Sequence, residues 1–281
     1  AFAELARTEA GEKVYALCSG CHSPAAVVSG LIPGKRDSEL PDVAKAGVTC
    51  DVCHQIERLS DTSRGWNEPG NASFVLLPGR VKFGAGGKVI ENRSHTGEQR
   101  DFFAKSEFCA SCHTVIHPTN GLRTERTYQE WKSSLYAKNG IQCQDCHMQS
   151  VEDAAKVALT LKPVVRMGQS AVDGPMREIH SHFFVGGNAN ADRLAHGPKH
   201  AEMAEARLKS AARIELWPPK KAVAGEDLTF VVIVHNAAAG HNLPTGITEL
   251  REMWVDLRVQ DSNGKTIYRG GELDEHGEIR E

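Results

Sequence analysis

"GIQCQDCHMQ", residues 140–149, sets Cys143 and Cys146 three positions apart and places His147 directly after the second. The pattern occurs three more times: Cys18, Cys21 and His22 in "CSGCH", Cys50, Cys53 and His54 in "CDVCH", and Cys109, Cys112 and His113 in "CASCH". Together the copies use all 8 cysteines of the 281-residue chain, so no thiol is left over for a structural disulfide. Histidine makes up only 13 of the 281 residues. Four cysteine pairs each followed by histidine would arise by chance with a probability on the order of five in a million.

The recurring histidine separates the two chemistries that use paired cysteines. A zinc ribbon joins two such pairs around one ion and needs no histidine beside each. CxxCH is the attachment signature of c-type haem. Two thiols at this spacing reach the two vinyl groups on one porphyrin edge and form thioethers, and the next imidazole becomes the proximal iron ligand. The pattern predicts four haem c groups as cofactors. Their attachment residues are Cys18, Cys21, Cys50, Cys53, Cys109, Cys112, Cys143 and Cys146, and their proximal iron ligands are His22, His54, His113 and His147.

Composition agrees. The chain is 40% hydrophobic and only 6% aromatic, which is lean for a core built from side chains alone. At about 70 residues per haem, loops and short helices around the macrocycles are expected in place of a large helical core. The formal charge of −3 becomes roughly −7 with ferric and −11 with ferrous haems once propionates are counted. With no arginine-rich run and no aromatic platform, nucleic acid is excluded as a partner. No run of about 18 apolar residues is present, so no transmembrane segment is expected. The opening "AFAELARTEAGEKVYALCSGCH" reads as a mature chain after signal-peptide removal. Covalent haem attachment outside the cytoplasm then points to a periplasmic or extracellular protein.

The motifs begin at residues 18, 50, 109 and 143, in two close pairs. The second member of each pair follows a glycine and a branched apolar residue, in "GVTCDVCH" from Gly47 and "GIQCQDCH" from Gly140. This predicts a duplicated dihaem unit, spanning about 1–60 and 95–150, inside a tetrahaem domain of residues 1–211. Between the pairs, "LLPGRVKFGAGGKVIENRSHTGEQRDFF" reads as a hairpin or loop carrying His95. "TYQEWKSSLYAKNG" (127–140) has helical spacing and stops at glycine, and "HAEMAEARLKSAARIEL" (200–216) predicts a helix ending near residue 212. Beyond it, "RIELWP", "DLTFVVIVHN", "REMWVDLRVQ", a "DSNG" turn and "KTIYRGG" predict a β-strand domain over 212–281. It reads as part of an antiparallel sandwich, with too few strands for closure.

An iron that only passes electrons is best served by two strong axial ligands. Nine histidines lie outside the motifs, which favours bis-histidine iron. The distal candidates are His95, His117, His182 and His241, with His180, His196 and His200 as runners-up. His182 lies in "HSHFFVGGN", among phenylalanines and glycines suited to a porphyrin face, and His241 sits in the ordered turn "AGHNLPTG". His235 and His276 read as structural.

On "GVTCDVCH", "SEFCASCH", "GIQCQDCHM", "HSHFFVGGN" and "AGHNLPTG" the sequence resembles bacterial multihaem c-type cytochromes of the electron-export kind. The resemblance implies distal-ligand roles for His182 and His241. It extends to tetrahaem extracellular cytochromes of the OmcE type, in which subunits assemble into filaments and a ligand can come from the next subunit. The expected function is electron transfer by a carrier, not an enzyme, within a filament of identical subunits, with other redox proteins or extracellular acceptors as partners. A soluble periplasmic shuttle or reductase subunit is the second reading. The third is a multihaem reductase of nitrite, hydroxylamine or sulfite with one open iron. No catalytic triad or paired-carboxylate site is legible.

Overall fold

A computed structural model of the chain describes residues 11–60, 68–86, 90–91, 93–169, 173–223 and 225–280. The expected start of the mature chain, residues 1–10, lies outside them, as do 87–89 and 92 of the segment between the motif pairs. The chain forms two compact units, one reaching to Gly246 and one beginning at Ile247.

The first unit is built from short helices and small sheets. Its helices include Glu12–His22, Cys50–His54, Ser106–Ala110 and Gln144–His147, each of which carries part or all of one CxxCH motif. Cysteines at i and i+3 share one helix face, so this winding presents both thiols on one side of each turn. In the third and fourth motifs the N–H of the histidine donates to the carbonyl of the first cysteine, His113 to Cys109 and His147 to Cys143, both at 2.9 Å. Gly47 and Gly140, each three residues before its motif's first cysteine, have φ of +72° and +76°. That left-handed turn is open to glycine without strain, and it makes the second members of the two motif pairs alike in backbone as well as in sequence.

A small apolar cluster forms where the first helix meets the following loop: Tyr15, Ala26, Ile32, Leu40 and Ala44 are all buried. The Tyr15 hydroxyl donates to Asp37 Oδ1 at 2.7 Å, so the one polar atom of that ring is satisfied inside the cluster. Further along, Phe83, Ile116, Tyr128, Ile141, Val157 and Val185 are buried in turn. These are few and scattered, and large apolar side chains such as Val48, Leu135 and Phe184 stand exposed.

The segment between the motif pairs is more than the predicted hairpin. Strands β1 (Val81–Gly84), β2 (Ile90–Glu91) and β3 (Thr96–Gln99) form a sheet in the order β1-β3-β2. β1 runs parallel to β3 and β2 antiparallel to it, because β2 lies on the far side of β3 and the chain must cross over to reach it. His95 immediately precedes β3.

The helical stretch 127–140 is two helices, Thr127–Ser133 and Leu135–Lys138. Ser134 separates them, and its hydroxyl accepts from the N–H groups of Tyr136 and Ala137. Such a cap favours a new start over continuation. Helix Pro198–Ala211 ends where the change of pattern predicts, and strand Ala212–Trp217 follows at once.

The strand-rich C-terminal part divides differently from the expected boundary at 211/212. Ala212–Trp217 pairs antiparallel with Val231–Asn236 and belongs with the first unit. The loop after this hairpin returns to helix Thr127–Ser133, where the Thr245 hydroxyl lies 2.9 Å from that of Thr127. The second unit holds a separate antiparallel pair, Leu257–Gln260 with Thr266–Gly270, turned by "DSNG" with Gly264 at φ +80°. Among the described residues these are two-stranded ladders, and no single sheet joins them.

Candidate functional site

The four motifs converge on the third. Cys21 Sγ of the first lies 4.0 Å from the carbonyl of Cys112. Asn71 and Ala72 support this junction. The Ala72 N–H donates to Ser111 O at 2.8 Å and the Asn71 N–H to Thr114 O at 3.0 Å. The Asn71 side chain brackets Ile116, donating to its carbonyl at 2.8 Å and accepting from its N–H at 2.9 Å. Both residues hold positive φ, 53° and 56°, a strained conformation for alanine.

The fourth motif is joined to the third by buried polar groups. The Ser106 hydroxyl, fully buried, accepts from the Cys143 N–H at 3.0 Å and donates to Gln142 Oε1 at 2.9 Å. The Gln144 amide donates to Phe103 O and Lys105 O. Phe103 also reaches the second motif: its ring lies 5.9 Å from that of His54, within 13° of parallel.

None of the eight cysteines is joined in a disulfide. Hydrogen bonding between motifs sets their acidity in pairs. A hydrogen bond from Cys21 lowers Cys112 and raises Cys21, and one from Cys109 lowers Cys143 and raises Cys109. Burial pushes Cys53 and Cys146 up to about 11.

Two motif histidines face a histidine from far along the chain. The rings of His54 and His182 are 6.2 Å apart between centroids. Those of His147 and His241 are 6.3 Å apart and within 15° of parallel. In both pairs the motif imidazole is anchored through Nδ1, which donates to a main-chain carbonyl: Phe83 O at 2.6 Å for His54 and Val185 O at 2.9 Å for His147. That arrangement fixes the tautomer and leaves the Nε2 lone pair facing away from the anchor. Burial holds His147 down to about 4, so its imidazole is neutral in ordinary buffers. His182 is lowered by burial and then by His54.

The spacing suits one metal between each pair. With nitrogen–metal bonds of about 2 Å on opposite sides, two imidazole ring centres lie roughly 6 Å apart. Among the described residues no three His, Cys, Asp or Glu side chains converge as a site made of protein ligands alone requires. The histidines meet in twos, a set that holds a metal when a macrocycle supplies the remaining positions. Exposed Phe184 lies edge-on to His182 at 5.6 Å, where it would flank such a ring.

The remaining candidates are placed as follows. His113 Nδ1 lies 3.2 Å from Glu125 Oε1, and that hydrogen bond raises its pKa. Exposed His117 accepts through Nδ1 from the Thr119 N–H at 3.3 Å. His180 Nε2 lies 3.8 Å from Asp145 Oδ1. His196 and His200 approach each other, with centroids 5.1 Å apart. His235 Nε2 lies 2.8 Å from Glu215 Oε2 within its hairpin, and His276 Nε2 lies 3.5 Å from Glu275 Oε1.

Sequence reasoning missed the anchors. The carbonyls of Phe83 and Val185 carry no side-chain signal, and nothing in "HAEMAEARLKS" marks Arg207. Its guanidinium donates to Cys146 O at 2.8 Å and Gln149 O at 2.9 Å, which puts a positive charge beside the fourth motif.

No protein family, curated protein or solved structure matched the chain.

Proposed function

We propose that the chain is a tetrahaem c-type cytochrome that carries electrons and is not itself an enzyme. The observation that carries this reading is the double facing arrangement, in which His54 meets His182 and His147 meets His241 at 6.2 and 6.3 Å. Each motif imidazole is held through Nδ1, with Nε2 left to ligate.

In this reading the eight motif cysteines hold the haems by thioethers, His22, His54, His113 and His147 supply the proximal nitrogens, and His182 and His241 supply two of the distal ones. The haems would contribute one-electron exchange at iron with both axial positions filled. The protein's own groups do the rest. The carbonyls of Phe83 and Val185 orient two imidazoles, the facing histidines exclude further ligands, and Arg207 places a cation next to the Cys146–His147 peptide. The hydrogen-bonded backbone between motifs keeps the four attachment points together.

For the first and third motifs, His95 and His117 are the proposed distal ligands, and in a filament of identical subunits one of the two would reach its iron from the neighbouring subunit. Covalent haem attachment would place the protein in the periplasm or outside the cell. Among the described residues no helix is long and apolar enough to cross a membrane.

The test is expression with a c-type haem attachment system, followed by a haemochrome count, an electron paramagnetic resonance spectrum of the oxidised protein and negative-stain microscopy. Four covalent haems per chain, with low-spin iron at least at the second and fourth positions, are expected. A chain secreted through that system that carries no covalent haem would overturn the reading. A high-spin signal that shifts with nitrite would move the assignment to a reductase.

A further inference from the structure

Helix Thr127–Ser133 and the helix that follows it touch both sides of the His147–His241 pair. On the fourth-motif side, Trp131 Nε1–H donates to Ile141 O at 2.9 Å, and the Ile141 N–H donates to Tyr136 O at 3.0 Å, two residues before Cys143. On the His241 side the contact is a carboxylate. Glu130, whose side chain is 8% exposed, accepts at Oε2 from the Thr245 hydroxyl at 2.7 Å and from the Asn242 N–H at 3.2 Å. Asn242 is in turn the residue that orients the imidazole, since its carbonyl lies 2.9 Å from His241 Nδ1.

The loop is confined from two further directions. The Asn236 amide donates to His241 O at 2.6 Å. A Cβ at Gly240 would come within 3.2 Å of the Tyr136 ring, so glycine allows the close approach that seats the loop on this helix. A buried carboxylate accepting hydrogen bonds from a hydroxyl and a main-chain N–H makes charge-assisted contacts stronger than neutral ones. Replacing it with an apolar side chain leaves the Asn242 N–H without its acceptor and the Thr245 hydroxyl with Thr127 alone.

We infer that Glu130 is a positioning residue for the sixth iron ligand of the fourth haem: it holds Asn242 and Thr245 so that His241 stands opposite His147. This rests on the haem reading given above. Glu130 acts through Asn242 and touches no ligand atom. The expected consequence of losing it is a His241 loop that drifts from the iron while the Cys143, Cys146 and His147 attachment stays intact.

The experiment uses the haem-loaded protein and compares Glu130→Ala, Glu130→Gln, Thr245→Val and His241→Ala with the parent. The readouts are the covalent haem count, the high-spin fraction in the oxidised electron paramagnetic resonance spectrum, and carbon monoxide uptake after reduction, since carbon monoxide occupies only an iron with an open position. Glu130→Ala is expected to keep its haems while converting one iron in four to high spin and taking up about one more carbon monoxide per chain than the parent. His241→Ala should match it. Glu130→Gln, which keeps an acceptor oxygen, should restore the parent spectrum, a rescue that general destabilisation would not produce.

Glu130→Ala with a full haem count and the parent's spin state and carbon monoxide uptake would overturn the inference. Should that variant yield no loaded protein, Thr245→Val decides: faster or greater carbon monoxide uptake supports the role, and parent behaviour overturns it. A parent without covalent haem would sink the haem reading instead, and an unchanged His241→Ala would sink the ligand assignment.

Discussion

His54 and His147, from different motif pairs, are held in the same way: each Nδ1 lies within 2.9 Å of a main-chain carbonyl, and each ring faces a second histidine 6.2 or 6.3 Å away. Their parallel construction makes exchange of the facing ligand informative. His182→Met is expected to keep the second iron low-spin while raising its midpoint potential, on the order of 100 mV, because thioether ligation favours the reduced state relative to a second imidazole. Spectroelectrochemical titration should show one of four components moved. Four unmoved components would remove His182 from the iron.

Arg207 offers an electrostatic counterpart. Its charge lies close enough to lower the His147 pKa, by less than burial does and by less than the hydrogen bond to Val185 raises it. A cation near iron disfavours the oxidised form, so Arg207→Met should lower the midpoint potential of the fourth haem, and Arg207→Lys should lower it less. The same titration reads the result, and a rise in potential would contradict the assignment.

Asn71→Ala removes both hydrogen bonds to the Ile116 backbone and leaves a buried N–H and C=O unsatisfied, at about 2–4 kcal/mol together. The loss would appear as a lower guanidinium midpoint with the haem count unchanged. Asn71→Asp, which keeps an acceptor for the Ile116 N–H but not the donor for its carbonyl, should fall between.

Haem omission should be severe. With large apolar side chains such as Phe184 57% exposed, Val48 56% and Leu135 63%, the polypeptide alone has much apolar surface still in water. A chain made without attachment machinery is expected to show a broad thermal transition by circular dichroism, and the loaded protein a steep one. Equal cooperativity in the two samples would show that the fold stands without its cofactors.

The sequence made legible what depends on local chemistry. The four motifs, the end of helix Pro198–Ala211 at residue 211 and the "DSNG" turn each rest on signals carried within a few residues. His182 and His241 were also marked locally, by phenylalanine and glycine around the first and by a proline turn around the second. What escaped depends on partners remote in sequence. Glu130 carries no signal of its own in the sequence, because the Asn242 N–H and Thr245 hydroxyl that meet it lie 112 and 115 residues away. The same loop ties strands 212–236 to the first unit, so the compact units part after Gly246 and not at the change from helix to strand. The parallel pairing of β1 with β3 is hidden because a hairpin reading assumes that neighbours in sequence are neighbours in the sheet.

The long separation between each motif histidine and its facing partner has a bearing on biosynthesis. A chain exported from its N-terminus presents Cys50–His54 and Cys143–His147 well before His182 and His241 emerge, and contacts between residues so far apart form late in folding. Attachment would therefore happen on open five-residue turns that are accessible to the enzyme that joins haem to thiol, and the arrival of the downstream histidines would then shut the second and fourth sites. A fragment stopped at residue 238 should accept all four haems yet leave the fourth iron reactive, which would make the last stretch of this unit a clasp fastened after loading.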